Sequence, residues 1–347
     1  MLSSCPHVRR ARLLFVCTLG FVCILGSTFS LACTEATTPV VPDTVGHIVV
    51  DSFTSKALGI KKTFLVYVPA SYRTSRKRSY PVAYFLHGAT RGERYWNDSL
   101  RLGIILDSLL SAGAPEMLVV MPDGDDSFYH TWVNPWVYND CLARGTINGE
   151  PAATYCVPHM KYDDYIINDL IPHIDSTYRT LKTRQHRAIA GYSMGAGGGL
   201  YLALKYRQLF GAIASLSGGI LDLLNVGTPD ARVEATDTAQ LHQFYSGFAW
   251  VDFSMANQYG GNLSDWRKYD PYTIALTVPV DSFPSMWFMV GTYDTFGLPG
   301  NQSFHDLLVQ RGVSNVTYGE AAGAHTPDFW RTHDGDATAW VAEQIKP

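Results

Sequence analysis

The stretch 189–199, IAGYSMGAGGG, follows the short strand-like run His186-Arg187-Ala188-Ile189-Ala190 and precedes Leu200 to Phe210, whose apolar residues recur at helical spacing. Strand, glycine-flanked serine and helix in that order describe either a packing turn or a nucleophile elbow. With 30 glycines in 347 residues, a chance Gly-x-Ser-x-Gly match is common enough that the serine needs partners elsewhere in the chain. A dinucleotide loop is excluded because the sixth position from Gly195 is Leu200, and a phosphate loop because no Gly-Lys-Ser/Thr ending follows. Gly191 and Gly195, two residues either side of Ser193, allow strand and helix to pass without side-chain collision. Met194 then offers its N–H at a helix N-terminus.

Outward from this point the alternation repeats. His47 to Phe53 and Lys62 to Pro69 alternate as strands, while Pro81 to Leu86 and Met117 to Met121 are apolar on both faces, as central parallel strands are. Leu100 to Ala112 and Tyr162 to Tyr178 have helical periodicity. After the serine come a strand at Gly211 to Leu216, a strand at Met286 to Val290, a helix at Gln302 to Gln310, a strand at Val316 to Tyr318 and a helix at Ala337 to Ile345. The prediction is a single α/β domain over 47–347, with a mostly parallel sheet and helices on both faces. Two long segments interrupt it, Asp123 to Lys161 and Gly218 to Ser282. In this topology such segments follow strand carboxyl ends, where the ligand crevice lies.

An α/β-hydrolase orders its catalytic groups Ser, then Asp or Glu, then His. WFMVGTYDTF puts Asp294 just beyond a late strand, with Asp281 and Asp328 as rivals. VTYGEAAGAHTPDFW puts His325 on the loop after the next strand. Of the 11 histidines only His242, His305, His325 and His333 follow the serine, and His325 alone has both the order and a loop position. A second oxyanion donor is expected from the loop after an early strand, where YFLHGATRGERYW offers the N–H of Ala89. His87 reads as a packed structural histidine.

The composition is 46% hydrophobic and 17% charged, with net charge −4. This is an ordinary globular balance, and it lacks the basic footprint that nucleic acid or an anionic surface would require. No Cys/His cluster has zinc spacing. Arg9, Arg10 and Arg12, the apolar run Leu13 to Leu25 and the small residues before Cys33 predict an export signal over 1–32 and a tether over 33–46. Plain secretion and lipidation of Cys33 both suit this start, so an extracytoplasmic protein is expected, with membrane attachment only through such an anchor. Cys141 and Cys156 are expected to pair as a disulfide clamping a loop.

YPVAYFLHG with Trp96, VVMPDG, YDDYIINDLIPHIDSTY, RAIAGYSMGAGGGLYLALKY, VGTYD and GAHTPDFW together resemble the esterase D-like family of putative esterases, from about Thr63 to the C-terminus. That family includes S-formylglutathione hydrolases, mycolyltransferases, and the acetylxylan and feruloyl esterases of carbohydrate esterase family 1. The resemblance implies an α/β-hydrolase fold, Ser193 as nucleophile, Asp294 as acid, His325 as base, Ala89 and Met194 as oxyanion donors, and no metal or cofactor. Ala196 departs from the family, which carries glycine there. Export disfavours the formylglutathione reaction and favours acetyl or feruloyl esters of polysaccharide. A broad short-chain esterase, an acyltransferase and a catalytically silent binding module remain as alternatives. Trp132, Trp136, Trp250 and Trp266, with their tyrosine neighbours, either line a sugar or aryl platform or pack the long loops.

Overall fold

A computed structural model describes residues 45–147, 150–228, 231–246 and 255–347. The predicted signal, Cys33, most of the tether and Trp250 lie outside these residues. Eight strands build one sheet: β1 (His47–Thr54), β2 (Lys61–Val68), β3 (Val82–Leu86), β4 (Leu118–Pro122), β5 (Arg187–Tyr192), β6 (Ala212–Leu216), β7 (Ser285–Gly291) and β8 (Val316–Ala321). Their spatial order is β1-β2-β4-β3-β5-β6-β7-β8, and β2 alone runs against its neighbours. From β4 to β8 every pairing is parallel. This is the mostly parallel sheet expected from the alternation of elements, and the α/β-hydrolase arrangement that the family resemblance implies.

Every residue of β3 to β6 is buried, as strands covered on both faces must be. Val82, Tyr84, Leu86 and Ile189 face one core, shared with the helices at 162–177 and with α2 (Met194–Lys205). Ala83, Phe85, Ala188, Ala190, Ala212 and Ala214 face the other, against α1 (Leu102–Ser111) and α4 (Pro327–Ile345). The alanines on β5 and β6 leave room for α4 to lie close. α3 (Leu298–Gln310) covers the β7 region.

The two long segments fold onto the domain rather than hanging from it. The described part of 218–282 contains helices Thr238–Tyr245, Leu263–Tyr269 and Pro271–Thr277, the last two N-capped by the side chains of Asn262 and Asp270. The segments are bound to each other, since Val133 and Asn134 donate backbone hydrogen bonds to Gln258 and Asn257. In 123–161, Cys141 and Cys156 form a disulfide with Cα atoms 5.9 Å apart, beside buried Ile147, Ala152 and Tyr155.

Candidate active site

Ser193 stands between β5 and α2 with φ +52° and ψ −123°, a conformation that L-residues rarely adopt and that costs about 1–3 kcal/mol. Such strain persists only where the surroundings fix it. The serine N–H donates to Leu216 at 3.0 Å and its carbonyl accepts from Gly219 at 3.0 Å, so both backbone groups are tied to the end of β6. The flanking glycines are demanded by packing: a Cβ on Gly191 would sit 2.3 Å from the Gly195 carbonyl, and one on Gly195 would sit 2.2 Å from the Leu86 oxygen. Ala196 is fully buried within α2, and its N–H donates to Ser193 O at 3.0 Å, so its methyl is accommodated without breaking the turn.

The structure brings Ser193, His325 and Asp294 into one line. Ser193 Oγ lies 2.7 Å from His325 Nε2, and His325 Nδ1 lies 2.8 Å from Asp294 Oδ2. A carboxylate at Nδ1 assigns the proton to that nitrogen and leaves Nε2 as acceptor for the serine hydroxyl. Asp294 is fully buried just past β7, and its other oxygen accepts the Gly297 N–H at 2.7 Å. The loops carrying Asp294 and His325 are locked together, because Thr292 donates to Ala321 and Tyr293 to Gly323, each at 2.8 Å. Gly291 is obligatory at this crossing, where a Cβ would meet the Gly323 oxygen at 2.3 Å. Asp281 is exposed and Asp328 lies on the exposed start of α4, so neither reaches the imidazole.

These groups open into a cavity of about 540 Å³ whose lining includes Ala89, Met194, Phe128, Tyr293, Phe296 and Trp330. Phe296 and Trp330 both set their rings nearly perpendicular to His325, at centroid distances of 5.2 and 5.3 Å. Tyr293 is 71% exposed and forms the outer wall. Met194 is the first residue of α2, where an N–H has no intrahelical acceptor. His87 is fully buried: its Nε2 accepts the Gly124 N–H and its Nδ1 lies 2.8 Å from the Gly88 oxygen.

The tryptophan platform is corrected by the structure. Trp266 is fully buried and donates to Gly260 O at 2.8 Å, while Trp132 is 5% exposed and packs edge-on against Trp136. Trp136 lies in the disulfide cluster, stacked on Tyr155 with Arg144 over its ring. None of the three lines the cavity; they hold the long segments to the core. The aromatic wall comes instead from residues the sequence reading passed over, and their signal was proximity. Tyr293 and Phe296 flank Asp294, Trp330 follows His325 by five positions, and Phe128 lies in the turn after β4.

Among known proteins, the esterase Rv1288 of Mycobacterium tuberculosis is 27% identical over 293 residues, which are 80% of this chain and 56% of that protein. The chain thus spans little more than half the length of this curated relative. An endo-1,4-beta-xylanase/feruloyl esterase of Xylanibacter ruminicola is 30% identical over 178 residues, covering 50% of this chain and 22% of its own length. A solved ferulic acid esterase superposes with TM-score 0.63 at 21% identity, over 86% of this chain and 99% of its own, a likeness of fold. The profile of the family described as "Putative esterase" matches residues 55–343, and the chain belongs to that family.

Proposed function

We propose that this protein is an exported serine hydrolase that cleaves carboxylic esters, removing acetyl or feruloyl-type groups from polysaccharide or smaller esters. The observation that carries the reading is the Ser193–His325–Asp294 line, with the serine held on a strained turn at the floor of an apolar cavity. His325 takes the Ser193 proton as Oγ attacks the acyl carbonyl, while the N–H groups of Ala89 and Met194 receive the oxyanion. The imidazolium, stabilised by Asp294, then gives that proton to the departing alkoxide. Water, deprotonated by the same imidazole, attacks the acyl-enzyme and returns Ser193 to its hydroxyl form.

The cavity is much larger than an acetyl group, and its walls of Phe128, Phe296 and Trp330 favour an aryl acyl group such as feruloyl. The feruloyl esterase relative agrees with that preference, and an acetyl esterase of Caldicellulosiruptor saccharolyticus, 23% identical over 65% of this chain and 71% of its own, keeps small acyl groups in view. Export rests on the basic, then apolar, then small-residue order of 1–33. Cell fractionation with palmitate labelling separates an anchored Cys33 from plain secretion.

The test is Ser193→Ala assayed on p-nitrophenyl acetate, methyl ferulate and acetylated xylan. Turnover should fall by several orders of magnitude with unchanged thermal unfolding. Activity within about tenfold of the wild type would overturn the assignment.

A further inference from the structure

We infer that Asp126 is a positioning residue that fixes the direction of the Ala89 N–H, acting through Thr90 from the turn that follows β4. The inference rests on the reading of Ser193 as the nucleophile and of Ala89 as a donor to the oxyanion. After β3 the chain His87-Gly88-Ala89-Thr90 leaves the sheet at Ser193, near enough that a Cβ on Gly88 would lie 3.3 Å from the serine Cβ. An N–H in such a loop serves an oxyanion only if its peptide plane is held before the substrate arrives.

Both planes that flank Ala89 are held. The plane carrying the Ala89 N–H also carries the Gly88 carbonyl, because a peptide unit is rigid. That carbonyl accepts from His87 Nδ1 at 2.8 Å, and His87 Nε2 is itself fixed by the Gly124 N–H at 2.8 Å. The next plane carries the Thr90 N–H, which donates to Asp126 Oδ1 at 2.5 Å. Thr90 has φ +60°, a left-handed conformation uncommon for a β-branched residue, so a strong acceptor is needed to keep it there. A carboxylate receiving a backbone N–H supplies a charge-assisted bond.

Asp126 is well suited to serve as a fixed point. It is 2% exposed, and its backbone carbonyl accepts from Gln258 Nε2 at 2.8 Å, which ties it to the 218–282 segment. Its second carboxylate oxygen lies 3.4 Å from the Tyr155 hydroxyl, beside the disulfide half Cys156. The turn after β4 therefore aims a donor that belongs to the loop after β3. Asp126 touches none of the reacting groups, so its effect should appear in the chemical step.

Asp126→Ala, Asp126→Asn and Asp126→Glu are compared for kcat, KM and thermal unfolding on p-nitrophenyl acetate, and for inhibition by an aryl trifluoromethyl ketone, whose serine adduct carries an oxyanion. Loss of one oxyanion donor costs about 10²–10³-fold in kcat. Asp126→Ala should approach a 10²-fold loss with KM within about threefold, and ketone affinity should fall in step with kcat/KM. Asp126→Asn keeps an acceptor for Thr90 and should restore kcat to within about tenfold. Asp126→Glu keeps the charge but displaces the acceptor by one methylene, and should lose at least tenfold; it carries the test should the alanine variant not fold. Full kcat in the alanine or glutamate variant overturns the inference, as does an asparagine variant no better than alanine with ketone affinity unchanged. A wild type lacking Ser193-dependent turnover ends the esterase reading together with this one, whereas an active wild type and an unaffected Asp126→Ala end this one alone.

Discussion

Gly195→Ala and Gly199→Ala are the same substitution on the same helix, and they should move stability in opposite directions. At Gly195 the new methyl would lie 2.2 Å from the Leu86 oxygen and 2.6 Å from that of His87, both backbone atoms at the end of β3. Ordinary contact begins at 3.4 Å, so α2 and β3 must part by about 1.2 Å. Overpacking of this kind costs about 1–3 kcal/mol or more. It also displaces Met194 and the loop through Ala89, and misplacement on the order of 1 Å costs about 10²-fold in rate. At Gly199 the nearest atoms, from Ile189 and Ile213, are 3.6 Å away, so the methyl fits. Alanine is there favoured by roughly 1 kcal/mol through helix propensity. Thermal unfolding with steady-state kinetics on p-nitrophenyl acetate reads both effects. Gly199→Ala should melt roughly 2 °C higher with full activity, and Gly195→Ala should melt lower and turn over at least tenfold more slowly. A Gly195→Ala variant as stable and active as the wild type would refute the account of the turn.

Three further outcomes follow from the geometry. Asp294→Asn should cost on the order of 10⁴ in kcat by disturbing the imidazole tautomer, while Asp281→Asn and Asp328→Asn stay near wild type; a severe effect at Asp281 would show the acid to be misassigned. Phe296→Ala opens the cavity wall beside His325, and should raise KM for methyl ferulate while leaving p-nitrophenyl acetate within about threefold; equal effects on both esters would count against an aryl subsite. His130 is buried against Tyr259 and Tyr269, and burial outweighs its bond to the Thr131 carbonyl and holds its pKa down at about 4. An unfolded histidine takes a proton near pH 6.5, so the stability it contributes is complete above that pH and is lost as pH falls towards 4, by at most on the order of 3 kcal/mol. His130→Phe should flatten denaturant-measured stability across that window.

The sheet and the Ser193, Asp294, His325 grouping were legible because each left a local signature. Doubly buried strands such as Val82–Leu86 are continuously apolar, and a serine between close-packed glycines admits few structural readings. The tryptophans were not legible, since a large aromatic in a polar segment has the same composition whether it faces a ligand or anchors the segment. Trp132 and Trp266 anchor it. The closing helix was expected from Ala337 but begins at Pro327, ten residues earlier. Its buried face runs through Phe329, Trp330, Asp334, Ala337, Thr338 and Val341, and the polar residues within that face hid the helical period. The clamp on Ala89 was equally hidden, because Thr90 and Asp126 are 36 positions apart and meet only through the pairing of β3 with β4.

The three groups on the line Ser193–His325–Asp294 come from the ends of three strands, and serine and histidine are 132 residues apart in the chain. No local fragment can therefore assemble them. Closure of so long a loop is paid before its contacts form, which makes such topologies slow to fold. Recovery of ester turnover after denaturation would then report the last long-range docking event, that of the β7 and β8 ends against β5, rather than early helix formation. A refolding experiment that follows activity beside far-ultraviolet circular dichroism would resolve the two in time.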